Sequence, residues 1–488
     1  ELVNSNTLMP SENITLYAHW SSSPEVMIIS NPQSVTVIEG NTFEFNVSAS
    51  GNGTLNYQWY YNTTGLPEGG TRIDGATSPT YSAVATKAMN GRFYYCEVSL
   101  QIDGNTSTKA CVPALLTVED ANYSITNAGK TTYYTTLAQA NADAVSNGGA
   151  SNGGTIVTLK NVTDGSVVII DKTVVLDTNG KTITRDSLIA VDNSNITFTI
   201  RGTGKIVSST NGVKNLGVGT LSLQNVTIQT TNPGYMPVSN SGSGNVLIDG
   251  TQITAASGSI GVSNDSNGVV TMNSGNINSE VYGIYNESTG TINVAGGSIN
   301  AGNTLINVAG GRVNITGGTF TSGSVAIINE GAEGIVTIDG ANTNIKTAEG
   351  VVILSEGKLV EVKNGTLIGS SNVILNEGAG TVKISGGGVS TTSTSSPAIY
   401  NNSNGTIQVS AGNVITAGAG IYNTTGTISI TGGNIKSTGS NAAVHNVSGI
   451  VTMTDGSIST ATGIGLSNES LNDTSNVSGG TIDGASGV

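Results

Sequence analysis

Carboxylates recur at one place in a repeated phrase of this chain. Asp265, Glu287, Glu330, Glu356, Glu377 and Glu469 each stand directly after the same marker, an asparagine or, at position 355, a serine. Glu330, Glu356 and Glu377 fall in three consecutive repeats. If the repeats stack as strands, these groups come about 5 Å apart. Like charges that close need a cation or solvent to relieve them. The chemistry on offer is therefore a Ca²⁺ site, calcium being the one cofactor the chain suggests, or a solvated acidic edge. Directly before the marker stand Tyr285, Tyr400, Tyr422 and His445, the last three in consecutive repeats. Where the marker points inward these rings point outward. They then form either a strip that stacks on sugar faces or a covering for a flat outer sheet. His19 and His445 are the only histidines, so His-based catalysis and a His-rich metal centre lack material. Cys96 and Cys111 have no histidine nearby in sequence to activate a thiolate.

The element that must position these groups is the marker itself. It recurs at Asn193, Asn215, Asn240, Asn264, Asn286, Asn307, Asn329, Asn376, Asn401, Asn423, Asn446 and Asn468, with Ser355 in the one gap. The mean spacing is about 23 residues, a solenoid period. An apolar triplet follows each marker: Ile292/Val294/Ile299, Val313/Ile315/Phe320, Val382/Ile384/Val389, Ile407/Val409/Val414, Ile428/Ile430/Ile435 and Val451/Met453/Ile458. Spacing of two is strand alternation, and the following jump of five crosses a Gly-containing turn into another short strand. Two to three short strands per coil predict a right-handed parallel β-helix. An inward asparagine at one corner can donate to and accept from the asparagines above and below, forming a structural ladder.

These features resemble the pectate-lyase-like β-helix family over roughly residues 125 to 488. The resemblance implies a fold shared by lyases, hydrolases, binders and passive stalks. A lyase would need carboxylates holding calcium beside an Arg or Lys base, yet the basic residues of the repeats, such as Arg312, Lys346 and Lys383, are scattered. A hydrolase would need clustered aspartates, and none recur in adjacent repeats at one register.

The remaining chain divides as follows. Residues 1–22 end in MPSENITLYAHW (Met9 to Trp20), which resembles the last strand of an internalin-type B repeat (the Listeria–Bacteroides repeat) of bacterial surface proteins. Residues 23–119 read as one β-sandwich, with alternating segments at Ser34–Ile38, Thr42–Ala49, Asn56–Tyr61, Thr80–Val84, Arg92–Ile102 and Ser107–Val118. Trp59 in YQWYY and Tyr94 in NGRFYYCEV resemble the core tryptophan and the tyrosine corner of immunoglobulin-like domains. The position of the first immunoglobulin cysteine is taken by the run Phe43, Phe45, Val47, so the usual inter-sheet disulfide is excluded. Asp103-Gly104 predicts a two-residue hairpin turn, which sets Cys96 opposite Cys111 within bridging distance. They are either a disulfide or two buried thiols. Residues 120–488 form the β-helix, opened by a short capping helix in the stretch Tyr134 to Val145 that ends at Asn147-Gly148-Gly149.

Net charge is −14 with 18 Lys+Arg, which argues against a nucleic-acid partner. No run suits membrane insertion. The chain reads as an excised piece of an exported protein, extracellular or bound to a bacterial cell wall. The expected function is a non-enzymatic adhesin or stalk presenting its β-helix surface to a glycan or to a ligand on host or neighbouring cells. The alternatives are a carbohydrate-active enzyme or calcium-dependent polysaccharide binder, and a passive spacer.

Overall fold

A computed structural model describes residues 23–144, 154–165, 167–186, 189–191, 195–470 and 475–485. The expected B-repeat remnant at 1–22 lies outside them. Contacts divide the chain into two units, residues 1–121 and 122–488.

The first unit is β-rich and immunoglobulin-like. A six-stranded sheet contains Val35–Ile38, Asn56–Asn62, Thr71–Arg72, Phe93–Ile102, Asn105–Ala110 and Ala114–Glu119. Two smaller sheets pair Thr42–Asn46 with Thr80–Val84, and Val26–Ser30 with Ser48–Gly51. Two expected strands are each broken in two. Ser107–Val118 is interrupted around Cys111–Pro113, because proline cannot donate to a ladder. Thr42–Ala49 is interrupted at Val47. The core explains the missing immunoglobulin disulfide. Phe45 stacks on fully buried Trp59 at 6.4 Å and on Tyr94 at 5.1 Å, so rings fill the space between the sheets.

The hairpin at Asp103-Gly104 has positive φ at both residues (48° and 83°), the geometry of a type I′ turn. Its register places Cys96 opposite Cys111, whose amide donates to the Cys96 carbonyl at 3.0 Å. The sulfurs are nevertheless free thiols. Cys111 Sγ lies 3.0 Å from the Cys96 amide nitrogen, and Cys96 Sγ is directed to the Glu97 carbonyl at 3.6 Å. The disulfide alternative is therefore not the one this structure takes. Burial pushes the Cys96 thiol up to about 12, which keeps it protonated and inert.

The second unit is a parallel β-solenoid of about 14 turns; its turns feed single strands to a 14-stranded sheet and either two short strands or one long one to a 28-stranded sheet that also includes the opening hairpin. Every pairing in the smaller sheet is parallel, from Val168–Ile170 to Leu466–Asn468. The two strands of the larger sheet are separate in early turns, such as Thr291–Val294 and Ser298–Ala301. They merge into single bent strands later, such as Thr381–Thr391 and Thr406–Thr416. All members of the apolar triplets are buried and stack on their counterparts one turn away; Val382, Ile407, Ile428 and Val451 form one such column. Each buried Val or Ile contributes about 1.5–3 kcal/mol relative to exposure. No single turn can bury its own face, so the stabilisation exists only between turns.

The opening turn is closed by a hairpin of Tyr123–Asn127 with Lys130–Tyr134 and by one helix, Leu137–Asp143. Thr136 and Gln139 form a reciprocal capping box at its start. Leu137, Ala140 and Ala144 are buried. The helix stops at Asp143, short of the expected Asn-Gly-Gly terminator, which lies outside the described residues. Beneath it sits a buried polar knot. The Asp164 carboxylate accepts the Leu137 amide at 2.8 Å and the Tyr123 hydroxyl at 3.2 Å, and lies 3.8 Å from the Arg185 guanidinium. Placing a carboxylate on the first helical amide satisfies an orphan donor and answers the helix dipole.

Candidate functional site

The marker residues build the corner between the two sheets. From Asn215 onward each is buried as far as Asn446, and apart from the turn at Ser355 each side-chain amide donates to the side-chain oxygen Oδ1 of the next turn's asparagine. The distances are 3.0 Å from Asn215 to Asn240, 2.8 Å to Asn264, 2.7 Å to Asn286, 2.8 Å to Asn307 and 2.9 Å to Asn329. The same amides also reach a glycine carbonyl in the following turn of their own coil, as Asn240 does at Gly244 (3.1 Å) and Asn264 at Gly268 (3.0 Å). Both N–H groups are thereby used, which a buried amide requires. The run resumes from Asn376 through Asn401, Asn423 and Asn446 to Asn468, which is exposed.

Two departures are visible. Asn193 lies outside the described residues. The partner of Asn215 in the preceding turn is Val191, two residues earlier. At Ser355 the shorter side chain receives the Asn329 amide at 3.4 Å but cannot reach onward. Asn376 Oδ1 is left buried without a partner.

A second polar corner lies where each coil leaves the larger sheet. Ser322, Thr347, Thr391, Thr416, Ser437 and Thr460 are all buried there. Ser322 donates to the Gly302 carbonyl at 2.6 Å and Ser437 to the Gly418 carbonyl at 2.7 Å. Sequence reasoning missed this column. Its signal is a Ser or Thr two residues after the third member of most triplets, Ala301 standing there after Ile299.

Outward from the 14-stranded sheet, the position before the marker forms a continuous line. Tyr285 pairs with Ile306, then Ile328, Leu354, Leu375, Tyr400, Tyr422 and His445. The aromatic residues noticed in the sequence are thus the two ends of one apolar stripe, and the aliphatic residues between them were overlooked. Tyr285 stacks on Tyr282 at 5.6 Å with ring planes 12° apart. Tyr400 meets Tyr422 edge-on at 5.4 Å, and Tyr422 lies 4.8 Å from His445. Burial, and next the neighbouring carboxylates led by Glu287, push the Tyr285 phenol above its ordinary range.

The position after the marker lies beside this stripe. Glu330, Glu356 and Glu377 occupy three successive turns there, their amides donating to the marker carbonyl of the turn before at 2.9, 2.8 and 2.9 Å. All three side chains are exposed. Among the described residues no three His, Cys, Asp or Glu side chains gather in a way that could hold a metal ion. Strand stacking holds these three carboxylates in an exposed row. Asp265 instead accepts the hydroxyls of Ser239 and Ser241, at 3.1 and 2.7 Å. Glu469 lies 3.0 Å from His445 Nε2, which ties the acidic row to the ring stripe at its far end.

The outer faces of the larger sheet differ. Their outward columns are mainly Asn, Ser, Thr and Gln, bonded along the axis, as Asn276 to Gln252 at 2.6 Å and Asn314 to Asn293 at 2.9 Å. Charged residues there include Lys346, Lys436 and a cluster around Glu361, which meets Lys383 at 2.8 Å and Lys363 at 3.7 Å.

No known family and no curated protein matches the chain. Among solved structures it is similar to a chain in the complex of titin M10 with an obscurin-like 1 Ig mutant, at 18% identity over 20% of this chain and 95% of that one, with a TM-score of 0.15, too low to argue from.

Proposed function

We propose that this protein is a non-enzymatic stalk of a bacterial surface or secreted protein, a right-handed β-helix of the pectate-lyase-like type that presents a lateral binding face to glycan or to a ligand on host or neighbouring cells. The observation that carries this reading is the outward line from Tyr285 to His445, raised on a core whose polar corners are bonded from turn to turn. A β-solenoid held in that way resists bending and offers the same chemical groups at each step of about 4.8 Å. Tyr400, Tyr422 and His445 supply ring faces and edges of the kind that stack on sugars.

The test is a glycan array and a cell-surface binding assay with the whole chain and with Tyr422→Ala, folding being checked by thermal melt. The expected result is binding to at least one arm, reduced about tenfold by the substitution. A folded protein that binds neither glycans nor cells would leave only a passive spacer.

A further inference from the structure

The stripe is longer and more apolar than sugar recognition needs. Between its aromatic ends it runs through isoleucines and leucines on four successive turns, Ile306 buried and Ile328, Leu354 and Leu375 half-buried, with no polar side chain in that line. Glycans are oriented by hydrogen-bonding groups set among apolar ones, and within its own line this middle section offers none, its polar neighbours being mainly the carboxylates on one margin. A second column joins it on the same face, four residues before the markers, where Tyr282, Val325, Val351, Pro397 and Ala419 are half-buried, with Asn303 and Asn372 as its polar members between Tyr282 and Pro397. The face is therefore an apolar band, unlike the polar faces of the larger sheet.

The charge beside it is one-sided. Glu287, Glu330, Glu356 and Glu377 stand exposed along one margin. The strands of this face carry no Lys or Arg from Val262–Asn264 to Leu466–Asn468. Over these turns a second copy of the chain would bring the same acidic row. From Tyr285 to His445 the band spans roughly 34 Å at strand spacing, close to the length of a 20-residue helix, about 30 Å.

Resting on the reading of this face as a binding surface, we propose that its occupant is a cationic amphipathic polypeptide segment. Its apolar side lies along the Ile–Leu band, and its Lys or Arg side chains pair with the glutamate row. Apolar burial supplies affinity and the charges set orientation and encounter rate.

The test is fluorescence anisotropy of the whole chain with a labelled 20-residue Lys/Leu amphipathic helix, and with the Glu/Leu peptide of the same pattern. Two variants are compared with the parent: Leu354→Thr with Leu375→Thr, and Glu330→Gln with Glu356→Gln and Glu377→Gln. All these positions face outward, and unchanged melts show that the solenoid is intact. The cationic peptide should bind and the acidic one should not. The leucine variant should weaken binding about tenfold and the glutamine variant severalfold, with added salt reproducing the second effect. Equal binding by the parent and both variants overturns the proposal, since the peptide would then be held elsewhere by net charge. No peptide binding, with glycan binding that Tyr422→Ala abolishes, overturns it while leaving the adhesive reading in place. Absence of both removes both. A dimer in sedimentation that Leu354→Thr dissociates would assign the face to a second copy instead.

Discussion

At the scale of single residues, Ser355 is the most informative position in the solenoid. Every other marker from Asn215 to Asn446 passes a hydrogen bond onward, and here the relay stops with Asn376 Oδ1 unpaired. Restoring the amide by Ser355→Asn should raise stability by about 0.5–1.5 kcal/mol, the net worth of an intramolecular hydrogen bond. Breaking the relay by Asn401→Ala removes an acceptor for Asn376 and a donor for Asn423, and should cost about 1–3 kcal/mol. Denaturant midpoints measure both, and opposite signs are expected. A Ser355→Asn variant less stable than the parent would mean that the relay contributes nothing at that turn. The asparagine period was plain in the sequence because a buried amide is costly unless its neighbours match it. The first member, Asn193, lies outside the described residues, and in the turn before Asn215 the stacked register presents Val191. The stripe was read only where it is aromatic: Ile306, Ile328, Leu354 and Leu375 look like core residues until strand pairing shows that they stand in line with Tyr285 and Tyr400.

At the scale of elements, the bent strands turn on glycine. Gly412 has φ of 80°, and a Cβ there would lie 2.6 Å from the Gly386 carbonyl oxygen of the turn before. Gly412→Ala thus meets both a backbone conformation disfavoured for L-residues and a clash with a backbone atom that cannot swing aside. The expected cost is at least about 1 kcal/mol, read as a lowered melting temperature. A melt equal to the parent's would show that the corner can relax. The triplet spacing exposed these strands and their turn before any coordinates, since alternation by two followed by a jump of five has few other solutions. The Asp164 knot under the helix was not legible. Tyr123, Asp164 and Arg185 are far apart in the chain, and only the first turns of the solenoid bring them together.

At the scale of the whole solenoid, the absence of converging carboxylates among the described residues has a thermal consequence. A ligand stabilises a protein only by binding its native state. A melt in EDTA and another in millimolar Ca²⁺ should therefore give the same solenoid transition. A clear upward shift with calcium would mean that the exposed glutamates reorganise around an ion, and would return the polysaccharide-binding alternative. The parallel β-solenoid itself was readable because its period is a property of the chain. Which of its faces binds was not, since that depends on comparing columns formed only by stacking.

The marker-to-marker distance is not constant: successive bonded asparagines lie 25, 24, 22, 21 and 22 residues apart, and the step to Ser355 is 26. The chain absorbs these differences in its turns while each coil but that of Ser355 hands the next the same amide and apolar row. Neighbouring coils are in that sense interchangeable parts. Duplication or loss of one coil in the gene would leave every remaining junction chemically intact and change only the length of the rod. Such a molecule can vary its reach by recombination between its own repeats without having to evolve a new core.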